Sequence, residues 1–306
     1  MTVVFWKELG DHFSSRRFMI LLAIIVLTGV WAIYASGQSI RQEAESAPAE
    51  FVFLLLLTSQ SGGLFSFATF LGLLGPLVGI MLGFDAISGE YARGTLSRVL
   101  SQPIYRDSLI NGKFIAGLTT VAILWASVLL LVIGLGIVLV GFPPNAEELW
   151  RMMIFTVVGI LYVGFWLALA LLFSLLFQRT VTAALGSLAL WLFLTIFAPL
   201  IAQIIAGAIV PDPSTPEAVV RQVAIANMIS RISPSTLYGE TVQVLLNLAR
   251  GLGVALPEQT QGMLQTPLAL GQSLLLILPQ IATLIALVAV CFAISYIKFM
   301  RTEIRA

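Results

Sequence analysis

The sequence has one cysteine and one histidine in 306 residues. The lone Cys291 cannot form a disulfide within the chain, and neither a cysteine-based nor a multi-histidine metal site can be assembled. Charge is scarce as well. Asp, Glu, Lys and Arg make up 10% of the residues, against about 25% in a soluble globular domain. So little charge cannot cover a water-facing surface, so the solvent of this chain is largely lipid. The charges nearly cancel, to +1, which gives no basis for a nucleic-acid partner.

Catalytic patterns are missing too. There is no Gly-x-Ser-x-Gly elbow, no His-Glu-x-x-His and no Cys-x-x-Cys. "NGKF" at Asn111–Phe114 contains a Gly-Lys pair, but Asp107 stands where a phosphate-cradling loop needs glycine. "SQSGG" at Ser59–Gly63 has the wrong residue order for a nucleotide signature. The chain is therefore expected to be no enzyme and to hold no cofactor. No cleavable signal peptide is expected, because residues 1–17 mix acids with bases and the apolar run after them is too long.

What is present is apolar sequence in long runs. A helix needs about 20 apolar residues to cross the hydrocarbon core. Six stretches approach or exceed this: Phe18–Ala35, Leu64–Phe84, Leu109–Val140, Met152–Phe177, Thr182–Val210 and Gly271–Ile297. An all-α integral membrane protein with six transmembrane helices is expected, both termini on one side. Basic residues choose the side. With cytoplasmic termini, the inside holds eleven: Lys7, Arg16, Arg17, Arg93, Arg98, Arg106, Lys113, Arg179, Lys298, Arg301 and Arg305. The outside holds five: Arg41, Arg151, Arg221, Arg231 and Arg250. A multi-pass protein of the cell membrane with cytoplasmic termini follows.

Residues 1–17 read as an interfacial helix. Phe5, Trp6, Leu9 and Phe13 share one face, with Lys7, Glu8, Asp11 and Ser14 opposite. His12, at the edge of that face, reads as a packed interfacial residue rather than a proton switch. Outside, "FVFLLLL" at Phe51–Leu57 is too short to span, and reads as a helix on the membrane or an extension of the second span. Residues 211–270 are expected to form two or three short extracytoplasmic helices. Gly72, Gly75, Gly79 and Gly83 suit close helix packing, within the bundle or at a subunit seam. Pro199 leaves the fifth run open to two readings: one crossing, or a crossing that turns back partway.

The middles of the six runs carry no ionisable residue. An autonomous carrier usually keeps such groups along its path, so the energy for transport would come through a surface gripped by another protein. The candidate surface is "DAISGEYARGTLSRVLSQPIYR", Asp85–Arg106, between the second and third runs. Leu96, Val99 and Leu100 lie at i, i+3 and i+4. Thr95 is a candidate cap for a short helix, and Pro103 stops it. Gly89 and Gly94 permit a sharp approach. Asp107 is a candidate cap for the third span.

At these residues the chain resembles the type-2 permeases of ATP-binding-cassette (ABC) transporters. "GFDAISGEYARGTLSRVLSQPIYRDSLINGK" at Gly83–Lys113 carries the resemblance through Asp85, Gly89, Glu90, Gly94, Thr95, Leu96, Pro103, Arg106, Gly112 and Lys113. It extends to the N-terminal "WKEL", to "ISPSTLYGE" and to the "FMRTEIRA" tail. The nearest branch includes permeases for copper-enzyme maturation in nitrous-oxide respiration. The resemblance implies an exporter subunit that pairs with a second permease, identical or related. A separate ABC-type ATPase, which binds ATP and Mg, would drive it. Residues 1–17 would be the membrane elbow and the 85–108 segment the cytoplasmic coupling helix. Glu90, Arg93, Gly94, Thr95, Leu96, Val99, Leu100, Pro103 and Arg106 would meet the ATPase. An extracytoplasmic partner protein is compatible with the long outer segment. The alternative is a membrane assembly or scaffold factor that uses the ATPase for mechanical signalling. The cargo is not legible, since apolar spans suit hydrophobic cargo and bilayer contact equally.

Overall fold

A computed structural model describes residues 1–43, 51–59, 66–95, 105–211, 215–246 and 269–301. Every regular element among these is helical. The elements are α1 (Thr2–Ser14), α2 (Arg16–Glu43), α3 (Val52–Thr58), α4 (Phe67–Gly83), α5 (Ser88–Ala92), α6 (Arg106–Val140) and α7 (Ala146–Leu176). They continue with α8 (Thr180–Leu192), a π-helical turn (Phe193–Phe197), α9 (Ala198–Ile209), α10 (Pro216–Ser230), α11 (Pro234–Leu246) and α12 (Leu270–Arg301).

Five helical stretches are long and apolar enough to cross a membrane: Arg16–Gln38, Arg106–Val140, Ala146–Leu176, Thr180–Ile209 and Leu270–Arg301. The second predicted span, Leu64–Phe84, appears as α4, an apolar helix of 17 residues. At 1.5 Å per residue α4 is roughly 25 Å long, while α6 with 35 residues reaches roughly 52 Å. The longest helices thus extend past a hydrocarbon core of about 30 Å.

The long helices are not equivalent. The apolar window of α7 is 72% buried within the chain, against 11–28% for the other four. α7 is therefore the hub, and the others turn apolar faces outward, as lipid-bathed helices must. Trp125, Phe155, Tyr162 and Trp166 fill the core around it. The ring of Trp125 lies where a Cβ on Gly159 would stand 2.6 Å away, so a side chain there would displace it.

The helix paths bear on two readings that the sequence left open. "FVFLLLL" does not extend α4. It forms the separate helix α3, with Val52, Phe53, Leu54, Leu56 and Leu57 buried. Phe51 starts it in left-handed backbone, φ 66°, and the carboxylate of Glu148 accepts the Phe53 N–H at 2.8 Å. The turn back at Pro199 is absent: Thr180–Ile209 runs on as one helical path. Proline lacks an N–H and its ring crowds the carbonyl four residues earlier. The widened π-turn just before Pro199 accommodates that ring without ending the helix.

Helix order gathers like ends. At one end Val4, Ile87, Leu109, Ile110, Leu171 and Phe299 form a second apolar cluster, joining α1, the approach to α5, the start of α6 and the ends of α7 and α12. At the other end Arg151, fully buried, ties three helices together. It donates to Glu147 at 2.7 Å, to the Leu245 carbonyl at 3.0 Å and to the Ser273 hydroxyl at 3.3 Å. Asn145 and Glu148 form a capping box at the start of α7.

Candidate functional site

The motif-bearing segment after α4 is fastened at four points. Arg17 lies over the Phe84 ring at 5.6 Å and 3.6 Å from the Asp85 carboxylate. Burial pushes the Asp85 carboxyl up, against the pull of Arg17. α5 has no cap from its own N-cap residue, Ile87. Ser174 of α7 supplies one: its hydroxyl oxygen accepts from the backbone N–H of Ile87 at 2.9 Å and of Ser88 at 2.8 Å. The same hydroxyl donates to Ser88 at 3.2 Å.

The central fastening is ionic. Lys113, buried, lies 2.8 Å from Glu8 of α1 and 2.9 Å from Glu90 of α5. Burial alone would raise the Glu8 carboxyl, but Lys113 and Lys7 outweigh it and hold Glu8 below its ordinary value. The second Glu90 oxygen is buried with no partner among the described residues. Gly112, next to this lysine, lets α1 lie on α6: a Cβ there would stand 2.9 Å from Val4. One turn further along α1, His12 Nδ1 is 3.0 Å from the Thr120 hydroxyl. Thr120 donates its own proton to the Ala116 carbonyl at 2.9 Å, so it accepts from Nδ1–H. Burial lowers the His12 pKa, which suits a neutral, packed ring. Asp11, His12, Arg17, Asp85, Glu90 and Arg93 are among the residues around a cavity of about 380 Å³.

The predicted site residues fall in three groups. Glu90 was expected on an exposed edge facing a partner, but it is only 6% exposed and paired inward. Its carboxylate secures the segment. Arg93 follows α5, and Gly94 takes φ +65°, left-handed backbone that favours glycine. Thr95 closes α5: its N–H donates to the Glu90 carbonyl at 3.0 Å and its hydroxyl to the same oxygen at 3.4 Å; the helix it was expected to cap lies outside the described residues. Arg106 is the first residue of α6, whose N-cap is Tyr105. Asp107 therefore sits inside the first turn, accepting the Ser108 N–H at 2.8 Å, and is not the cap. Leu96, Val99, Leu100 and Pro103 lie outside the described residues.

Gly75, Gly79 and Gly83 form the seam of α4 against α7. A Cβ on Gly79 would stand 2.6 Å from the Val163 carbonyl oxygen, and one on Gly83 2.7 Å from that of Leu167. Gly75 meets the side chain of Val163 at 2.9 Å. The two helices touch backbone to backbone, and the ionic knot stands at the Gly83 end of this pair. Sequence reading missed Glu8, Thr120 and Ser174. Glu8 reads as part of a solvated helix face, and nothing local to it signals that Lys113 covers it.

These features define a multi-helix membrane protein in which a polar, helix-linking segment is braced by four helices, with no metal-binding cluster among the described residues. The chain matches the family described as "ABC-2 family transporter protein" over residues 2–304, and it belongs to that family. It is a membrane subunit and not itself catalytic. Two curated relatives are named "Probable ABC transporter permease protein NosY". That of Stutzerimonas stutzeri is 36% identical over 109 residues, which is 36% of this chain and 35% of the relative. That of Pseudomonas aeruginosa is 32% identical over 110 residues, again 36% of this chain and 35% of the relative. The matched region thus spans about a third of the length of these relatives.

Proposed function

We propose that the chain is the permease subunit of an ABC exporter. Two permeases pair to form the path, and a separate ATPase, which binds ATP and Mg, drives them through the segment between α4 and α6. The reading has six crossings, α4 being the short second one, with both termini and the 85–108 segment cytoplasmic. α1 is then the interfacial elbow. The observation that carries the proposal is the Glu8–Lys113–Glu90 bridge. A segment that transmits force must not swivel on its spans. Here it is bound to α1 and α6 by ions, to α7 through Ser174, and to α2 through Arg17. A push on residues 96–104 would reach four helices at once. Wherever ions and hydrogen bonds are buried in this way, breaking one partner is costly.

The test is copurification of the ATPase with the permease. Leu100→Ala is expected to weaken that association, since an interface hot spot is worth about 2 kcal/mol or more, while membrane expression stays normal. Purified permease alone is expected to turn over no ATP. Unchanged association and unchanged ATP-driven transport in Leu100→Ala would remove the coupling role. Cargo-stimulated ATP hydrolysis by the complex separates an exporter from an assembly factor.

A further inference from the structure

Charged residues are rare in this chain, yet one ion pair stands among its apolar helices. Arg231, in the turn between α10 and α11, places Nε 3.0 Å from both oxygens of Glu240. Gln280 of α12 donates to Glu240 at 3.1 Å. Its own Oε1, and the hydroxyl of Ser233, are buried without partners among the described residues. The terminal nitrogens of Arg231 make no hydrogen bond among those residues, and its side chain is 51% exposed.

Helix register gives the depth of this cluster. Tyr238 stacks on Tyr162 at 4.5 Å, while Leu245 meets Arg151, so α11 runs antiparallel to α7. Tyr162 is near the midpoint of Ala146–Leu176. Ser235 joins Tyr162, at 3.1 Å, to Thr195, at 2.9 Å, and Thr195 is near the midpoint of Thr180–Ile209. Gln280 stands ten residues into α12, roughly 15 Å from its start. Under the six-span reading of the proposed function, on which this inference rests, all of these lie near the middle of the hydrocarbon core.

A half-exposed guanidinium cannot face lipid tails at that depth without heavy cost, and intramembrane charges face protein interiors or water-filled cavities. We infer that the Arg231–Glu240–Gln280 cluster lines a water-containing path, and that Arg231 is an anion-binding subsite in it. Glu240 holds the guanidinium from behind through Nε, and the two terminal nitrogens remain to form a fork for a carboxylate, phosphate or sulfonate. The exposed Met228 and Ile232, at 68% and 70%, flank it with apolar surface. The chemistry fits the anionic headgroup of an amphiphilic cargo.

The test uses a cysteine at Ile232 in a Cys291→Ser background, in full-length permease in phosphatidylcholine nanodiscs. The probes are methanethiosulfonates bearing a sulfonate or a trimethylammonium group. The sulfonate reagent is expected to react about threefold faster or more, the effect of one positive charge several ångströms away in a partly aqueous site. Arg231→Gln should abolish this preference and Arg231→Lys should keep it, which separates charge from misfolding. Phosphatidylglycerol in the nanodisc is expected to slow the sulfonate reaction. Slowing by inorganic phosphate instead would assign the same subsite to a soluble anion. No slowing by either would overturn the site. No reaction with either reagent would mean lipid or a second copy covers Arg231. Equal rates would mean that the position stands in bulk water. Each of these also overturns the inference. No ATPase takes part, so the result is independent of whether the coupling role survives.

Discussion

Tyr162 donates its hydroxyl to the Gly72 carbonyl at 2.9 Å, and that carbonyl is the one that Pro76 leaves without a helical donor. Pro76 lies inside α4 and has no N–H to return to residue 72. In lipid an unsatisfied carbonyl cannot turn to water. One tyrosine on α7 therefore makes a proline tolerable in α4. Tyr238 also approaches α4, its hydroxyl 3.3 Å from the Ala68 carbonyl, but that oxygen already lies opposite the Gly72 N–H of the helix.

Tyr162→Phe is accordingly expected to destabilise the protein by about 1–3 kcal/mol, the cost of a buried acceptor left unpaired. Tyr238→Phe should cost less. Thermal unfolding of the two variants in one detergent measures the difference. Equal losses would mean that the proline-freed carbonyl is not what Tyr162 serves.

The glycine seam makes a position-specific prediction. Gly79→Ala would place a methyl group 2.6 Å from the Val163 carbonyl oxygen, and backbone does not yield as a side chain does. α4 must then separate from α7, and yield in the membrane should fall sharply. Gly134→Ala, in α6 with nothing within 4 Å, should be tolerated and is expected to gain about 0.5–1 kcal/mol in helix stability. Similar expression of both variants would argue against the seam.

Lys113→Met removes the cation between two buried carboxylates. Breaking a buried pair from one side costs about 3–5 kcal/mol, so loss of stability and of ATPase association should appear together. Adding Glu8→Gln and Glu90→Gln is expected to restore much of the stability, because no charge is then left unmatched. The thermal midpoints of the single and triple variants test this. No recovery in the triple variant would show that the bridge is not the reason for the loss.

The same bridge predicts an acid limb. Glu8 has a lowered folded-state pKa, so its contribution is complete above the ordinary carboxylate value of about 4.3. It is lost as pH falls through the lowered folded value. Stability of Glu8→Gln should therefore depend less on pH than that of the parent below about pH 4. Parallel pH profiles would remove Glu8 from the account.

The apolar runs were legible because membrane helices need only length and hydrophobicity, and Gly75, Gly79 and Gly83 announce close packing through their spacing. The inward turn of Glu90 was not legible. A carboxylate beside a glycine looks solvated unless Lys113, twenty-three residues on, is known to meet it. The role of Ser174 was hidden in the same way, since a serine near a helix end has many uses. α3 was ambiguous because short apolar runs do not say whether protein or lipid covers them. Arg231 and Glu240 looked like loop charges because the chain order conceals that α11 lies against the midpoint of α7.

Topology is the prediction on which the rest of the functional reading depends. The end of the bundle that gathers α1, α5 and the start of α6 also holds Lys7, Arg16, Arg17, Arg93 and Lys113, and basic residues stay on the cytoplasmic side. α11 and the start of α12 meet at the other end, at Arg151. In a Cys291→Ser background, Ser101→Cys should react with a membrane-impermeant maleimide only in inside-out vesicles. Ser214→Cys should react only in intact cells. Both residues lie outside the described residues, Ser101 between α5 and α6 and Ser214 between α9 and α10 in the sequence. Labelling of both from the same side would mean an even number of crossings between them, not the three of Arg106–Val140, Ala146–Leu176 and Thr180–Ile209. The path through the π-turn would then have to be redrawn, and labelling of both from outside would mean that residues 85–108 could not meet an ATPase in the cytoplasm.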